Sequence, residues 1–323
     1  MQGNVTIQVQ SETRAGEVAP PQPAVILNAS SGADDKKGVR DRLLELFAAE
    51  GKKAQVTLAE SGEEIIAVAR RAVSDDCQPI IAGGGDGTIN AVASVVVGTN
   101  RTLGVLPLGT LNHFAKDLKI PLDLEGAARI CLEGRAAPID VGEVNDRIFL
   151  NNSSLGLYPT IVRHREKQQE RLGRGKWPAF IWATLSALKR YPFLNVRLST
   201  DDQRLIRHTP FVFIGNNEYV MESFNIGGRS CIDKGQLSLY VAHRTGRLGL
   251  LRLALRALFG GLRDQQDFDA LCTKEIWVET RRPKRLRVAT DGEVTIMTTP
   301  LHYRVRPGAL RVLVPKEGVN RES

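Results

Sequence analysis

The sequence predicts an α/β domain built on a parallel sheet, followed by a mainly antiparallel, β-rich second domain. Three observations carry that expectation. Apolar strand-like runs alternate with helix-period segments in the first third of the chain. Glycine-rich turns close two of those runs. After Pro138 the pattern changes to short β-type stretches separated by polar turns. At 323 residues the chain exceeds what one hydrophobic core usually serves, so two domains are expected.

The elements follow in order. Ala24–Asn28 is a short apolar run with the look of a buried strand. Residues 37–49 carry Val39, Leu43, Leu44, Leu46 and Phe47 at helical spacing. A second strand is expected over 54–58 and a second helix over 63–73, with Ile65, Ile66 and Ala69 inward. Residues 79–82 form a third strand that runs into Gly83-Gly84-Gly85-Asp86-Gly87-Thr88, and a helix is expected from Ile89 to Val97. Another strand at 103–106 leads into Pro107-Leu108-Gly109-Thr110-Leu111-Asn112 and a further helix, which Thr110 is placed to cap. In the second half, strands are expected at 139–144, 147–151, 194–199, 211–216, 237–242, 275–279 and 285–289. Asn145-Asp146 reads as a hairpin turn, and helical patterns interrupt the strands at 177–189 and 248–259. The expected division is a flexible segment at 1–23, an α/β domain at 24–137, a β-rich domain at 138–315 and a tail at 316–323.

Composition excludes several classes. Apolar content of 42% and charged content of 25% are those of an ordinary globular protein, and no run approaches the roughly 20 apolar residues that span a bilayer. Residues 1–23 lack the order of a secretory signal, which points to the cytoplasm. The four cysteines lie far apart without a C-x-x-C pair, and the histidines form no H-E-x-x-H, so a zinc site or disulfide framework is not expected. A net charge of +8 attracts nucleic acid, anionic lipid or phosphorylated small molecules alike. No helix-turn-helix or aromatic stacking motif supports nucleic acid.

Chemistry concentrates in the turns. A strand ending in glycines and opening a helix presents backbone N–H groups to an anion, most often phosphate. No Gly-Lys-Ser/Thr follows, so this is not a Walker loop, and the spacing does not complete G-x-G-x-x-G. Asp86 within it calls for a divalent cation or a reacting hydroxyl between its carboxylate and a phosphate. The second turn would face the same crevice at the carboxyl edge of the sheet. Asp291-Gly292-Glu293, about 200 residues later, is commonplace alone and gains meaning from the other two.

Together these motifs resemble the diacylglycerol kinase catalytic family, which includes sphingosine and ceramide kinases and bacterial lipid kinases. The resemblance spans nearly the whole stretch 24–315. Asn28, Ser31 and Gly32 match its opening motif, Gly84 to Thr88 its G-G-D-G-T, Pro107 to Asn112 its P-x-G-T-x-N, and Asp291 to Glu293 its Asp-Gly-Glu. It implies an α/β nucleotide domain, a β-sandwich lipid domain and an ATP cleft between them. By resemblance ATP is held by Asn28, Ser31, Gly32, Thr57, Gly84, Gly85, Asp86, Gly87, Thr88, Asn90, Gly109, Thr110 and Asn112. Asp86 and Glu293 would bind Mg2+, and Asp291 or Glu293 would take the proton from a lipid hydroxyl. Three positions depart from the pattern: Ala91 follows Asn90 where Glu is common, His113 follows Asn112 where Asp is frequent, and Lys234 stands where some members have an acid of a second metal site. That second site is therefore expected to be absent.

The implied partners are a lipid substrate at the membrane surface and anionic phospholipid headgroups, with a homodimer compatible. Basic clusters at 163–176 and 281–287, and an arginine-bearing amphipathic pattern at 244–263, fit peripheral attachment at the inner face of the membrane. The alternatives are an NAD kinase, which shares a G-G-D-G-T turn, and a binding module that has lost catalysis.

Overall fold

The computed structural model describes residues 21–30, 36–156, 193–200, 203–217, 219–222, 225–229, 233–242 and 268–316. Ser31 and Gly32, the helices expected at 177–189 and 248–259, and the basic stretches 163–176 and 244–263 lie outside the described residues.

The chain opens with β1 (Ala24–Asn28), α1 (Lys36–Ala49), β2 (Gln55–Ala59), α2 (Gly62–Ser74), β3 (Ile80–Gly84), α3 (Asp86–Val96), β4 (Thr102–Pro107), α4 (His113–Asp117) and α5 (Leu124–Glu133). β1, β3 and β4 bury nearly every residue, as strands covered on both faces must. Leu43 and Phe47 of α1 and Ile65 and Ala69 of α2 pack onto them. Ile66, expected inward, is half-buried, because it lies one position off the apolar stripe of α2, and Leu44 of α1 is exposed for the same reason. Ser61 caps α2 by accepting from Glu64 N–H at 3.1 Å, a contact type that contributes about 1 kcal/mol. α3 begins three residues earlier than its apolar pattern suggests, since Gly85 is the N-cap and Asp86 stands in the first turn.

The second half is strand after strand: β5 (Arg135–Val144), β6 (Arg147–Phe149), β7 (Asn152–Gly156), β8 (Leu194–Ser199), β9 (Arg204–Thr209), β10 (Phe211–Asn216), β11 (Tyr219–Glu222), β12 (Asn225–Arg229), β13 (Leu237–Ala242), β14 (Phe268–Thr273), β15 (Glu275–Thr280), β16 (Arg285–Thr290), β17 (Glu293–Thr298) and β18 (Leu301–Val314). Asn145 takes a left-handed φ of 52° in the two-residue turn between β5 and β6.

One large sheet runs in the order β2-β1-β3-β4-β18-β15-β8-β9, with β5 and β6 attached through β18. β1 to β4 are mutually parallel. β18 lies parallel to β4 at Arg311 and Val312 and antiparallel to β15 at its other end. The last long strand therefore carries the chain back into the first layer, and Ile139, Val141, Leu310, Val312 and Val314 join the first core. Buried Glu143 on β5 accepts from Arg304 Nε at 2.8 Å and Arg306 Nη1 at 3.4 Å, fixing the β5–β18 register by charge. A second sheet, β14-β13-β10-β7-β16-β17, packs Leu155, Ile214, Leu239 and Val288 into the second core, which it shares with Val196, Val278 and Tyr303 of the large sheet. Cys77 and Cys131 are buried, Cys272 is exposed, and burial pushes the Cys131 thiol up to about 12, leaving it an inert core group.

Candidate functional site

The order β2-β1-β3 places neighbours on both sides of β1, so the strand order reverses at the β1–β3 crevice. Ligands of open α/β sheets bind outside the carboxyl ends of the strands at such a point. Asn28 ends β1 there and Gly84 ends β3. Asn28 Nδ2 donates to Thr88 Oγ1 at 2.9 Å, tying the β1 end to the first turn of α3. The first intrahelical bond of α3 runs from Ile89 N–H to Gly85 O, so the N–H groups of Asp86, Gly87 and Thr88 lie ahead of it at the helix end.

The two glycine turns touch. Gly84 pairs with Pro107 in the sheet, and Leu108 N–H donates to Gly84 O at 3.0 Å. A β-carbon on Gly109 would overlap Gly85 Cα and stand 2.9 Å from Asn112 Oδ1. Gly109→Ala must therefore force the turns apart. It is expected to destabilise the fold by about 1–3 kcal/mol and to weaken nucleotide binding, which thermal unfolding and a nucleotide titration would read. Unchanged affinity would disconnect the Gly85–Gly109 contact from the ligand site.

Several expected ligands also hold bonds within the fold. Asn112, not Thr110, is the N-cap of α4, in a left-handed conformation at φ 51° without a side-chain cap bond. Its amide accepts from Gly109 N–H at 3.1 Å and donates to Pro107 O and Gly109 O at 3.1 and 2.8 Å, so it folds its own turn. Thr110 is exposed beside it. Asp86 accepts from His113 and Phe114 N–H, both at 3.2 Å, and thereby anchors the start of α4. This explains how His113 serves where an acid is frequent: the position contributes its backbone amide. Asn90 is buried on α3 with its side-chain oxygen unpartnered, and Ala91 packs against the first core. Thr57 lies in register with Ile26, two residues short of Asn28.

Glu293 reaches the same crevice from the second half of the chain, and Asp291, two residues before it, has a different environment. Asp291 sits in the β16–β17 turn at φ 47°. Its carboxylate accepts from the N–H groups of Leu150, Asn151 and Asn152 at 2.6, 2.8 and 3.0 Å. Glu293 is half-exposed, and its Oε1 lies 3.6 Å from where a β-carbon on Gly87 would stand. Its Oε2 accepts from Arg147 Nη2 of β6. Two carboxylates, Asp86 and Glu293, thus flank the N-terminus of α3. Arg147 was not among the expected residues, since a single arginine in a hairpin carries no local signal.

At Lys234, the segment docks through backbone amides: Lys234 N–H donates to Asn217 Oδ1 at 3.1 Å, and Gly235 N–H to Asp140 Oδ2 at 2.6 Å. Asp140 Oδ1 accepts from Gly308 N–H at 2.9 Å, so one buried carboxylate joins three distant segments.

A family model of the diacylglycerol kinase catalytic domain matches residues 22–144, and one described as the YegS C-terminal NAD kinase beta sandwich-like domain matches residues 160–314. With the crevice, the glycine turns and the late carboxylates in place, residues 22–144 belong to the diacylglycerol kinase catalytic-domain family, and the protein is a kinase. It is 29% identical over 307 residues to the Cronobacter sakazakii protein named "Probable lipid kinase YegS-like", covering 91% of this chain and 96% of that one. It is also 29% identical over 320 residues to the Serratia proteamaculans protein of the same name, covering 92% and 95%. A crystal structure of a diacylglycerol kinase from Bacillus anthracis superposes with a TM-score of 0.68 at 21% identity, over 91% of this chain and 96% of the other. That likeness is one of fold.

Proposed function

We propose that this protein transfers the γ-phosphate of ATP to a hydroxyl of a membrane lipid, either diacylglycerol or a ceramide- or sphingoid-like lipid. The observation that carries the reading is the meeting of Glu293 with the N-terminus of α3 across the two halves of the chain. Phosphoryl transfer needs held phosphates, charge neutralisation and an acceptor for the hydroxyl proton. The leading N–H groups of α3 hold the phosphates, as helix N-termini do. Asn28 keeps Thr88, and with it the first turn of α3, in place.

Asp86 and Glu293 fit magnesium, which is commonly bound by one or two carboxylates together with phosphate oxygens and water. Among the described residues no group of three His, Cys, Asp or Glu side chains converges, so a denser all-protein cage is not part of the fit. When bound, the ion neutralises charge on the transferring phosphate. Glu293 accepts the hydroxyl proton at Oε2, the oxygen that Arg147 holds in this structure, and Oε1, which faces Gly87, would be left for the ion. Asp291 is the poorer acceptor because its oxygens already face three backbone N–H groups.

The test is transfer of labelled phosphate from ATP to a panel of lipids in mixed micelles, with NAD as a further acceptor. A labelled lipid is expected. Label on NAD alone would replace the reading with an NAD kinase, and ATP binding without transfer to any acceptor would leave a binding module.

The same reading includes peripheral attachment to anionic membrane. Arg281, Arg282, Lys284, Arg285 and Arg287 are all exposed, and exposed Ile296 stands opposite Arg287 on β17. No described helix is long and apolar enough to cross a bilayer. Each basic residue near an anionic surface contributes about 1 kcal/mol. Co-sedimentation with phosphatidylserine vesicles is expected to exceed that with neutral ones and to fall when Arg281, Arg282, Lys284 and Arg285 are changed to Gln. Equal partitioning onto both vesicles would remove this part of the proposal.

A further inference from the structure

Arg147 stands on a clamped hairpin with its side chain partly exposed. The hairpin that carries it is clamped: Asn145 N–H donates to His302 O at 2.8 Å, and Asn145 Oδ1 accepts from His302 N–H at 3.0 Å. Ile148 and Phe149, next along β6, are buried, and β6 lies against α3. The Arg147 side chain is about one-third exposed and, among the described residues, pairs with Glu293, itself half-exposed. Surface pairs of this kind are weak and exchange readily. Glu293 turns one oxygen to Arg147 and the other to Gly87. The guanidinium is therefore one carboxylate away from the helix end that receives phosphate. A guanidinium binds phosphate through two parallel N–H bonds, a geometry that suits a terminal phosphate better than one in mid-chain.

We propose that Arg147 is a positioning residue that trades partners. Without nucleotide it pairs with Glu293 and occupies that carboxylate. With a triphosphate at the N-terminus of α3 it turns to the terminal phosphate and releases Glu293 to the lipid hydroxyl. This inference rests on the nucleotide reading of the site and adds to it a sensor of the third phosphate. A diphosphate leaves the Arg147–Glu293 pair intact, so the proton acceptor is set free only when a transferable group is present.

The experiment compares binding of ADP and of β,γ-imido-ATP to wild type, Arg147→Ala and Arg147→Lys, with lipid phosphorylation measured in parallel. Wild type is expected to prefer the triphosphate analogue. In Arg147→Ala that preference should shrink about tenfold, the loss of one charge-assisted contact, while ADP affinity stays within twofold. Arg147→Lys should restore part of the preference, and kcat should fall more than KM for the lipid rises in Arg147→Ala. Equal weakening of both nucleotides, or a fall in thermal stability with the preference unchanged, would reduce Arg147 to a structural pair and overturn the proposal. Failure of wild type to bind either nucleotide would overturn the site reading itself, and this inference with it.

Discussion

Glu293→Gln is expected to lower lipid phosphorylation by about 10²–10⁴-fold, the usual contribution of a positioned general base. Glutamine keeps the shape of the side chain and an oxygen for Arg147, but it cannot accept a proton at neutral pH. The fold should tolerate the change. Glu293 is 54% exposed, and among the described residues its side chain bonds to Arg147, an exposed pair worth at most about 1 kcal/mol. A thermal transition close to wild type together with the loss of turnover separates chemistry from folding. KM for ATP should rise less than turnover falls, because the leading amides of α3 and the Asp86 carboxylate remain. Turnover within threefold of wild type would move the proton-accepting role away from Glu293.

Asp291→Ala should fail for a different reason. It removes the acceptor of three backbone N–H groups in the 150–152 segment. Each unsatisfied, partly buried donor costs about 1–3 kcal/mol, and water will satisfy some of them, so a net loss of roughly 3 kcal/mol is expected. The same bonds fasten the β16–β17 turn, and with it Glu293, to the segment between β6 and β7. Activity should therefore fall along with the thermal transition. Asp291→Asn keeps one oxygen and should lie between. Loss of activity in Asp291→Asn at unchanged stability would instead make Asp291 the proton acceptor and Glu293 its neighbour.

The contrast between these carboxylates shows where local reading stopped. In the sequence they are two acids around a glycine, and nothing in that tripeptide ranks them. Their difference comes from partners 139 to 146 residues away. Asp86 gives the same lesson at shorter range, since its partners are the amides of His113 and Phe114. Asn112 is expected beside the nucleotide from its motif alone; the fold adds that its amide bonds within its own turn. β18 escaped the strand reading because Pro307-Gly308 interrupts its pattern. In the fold the register shift against β5 falls between Arg306 and Leu310, where the interruption lies.

The sequence by itself determined the alternation of strands and helices up to β4, the glycine turns at 83–88 and 107–112, and the change to antiparallel pairing after Pro138. These are local properties: an apolar period of two or 3.6 and the backbone freedom of glycine leave marks within a few residues. The tertiary structure alone decided that β18 returns to complete the first sheet, that Glu293 comes to rest beside Gly87, and that Arg147 holds it. Each of those joins residues more than 140 positions apart. Such contacts are chosen by the burial of whole sheets, with side chains carried to their partners by strands whose own sequences need only be apolar on the correct face.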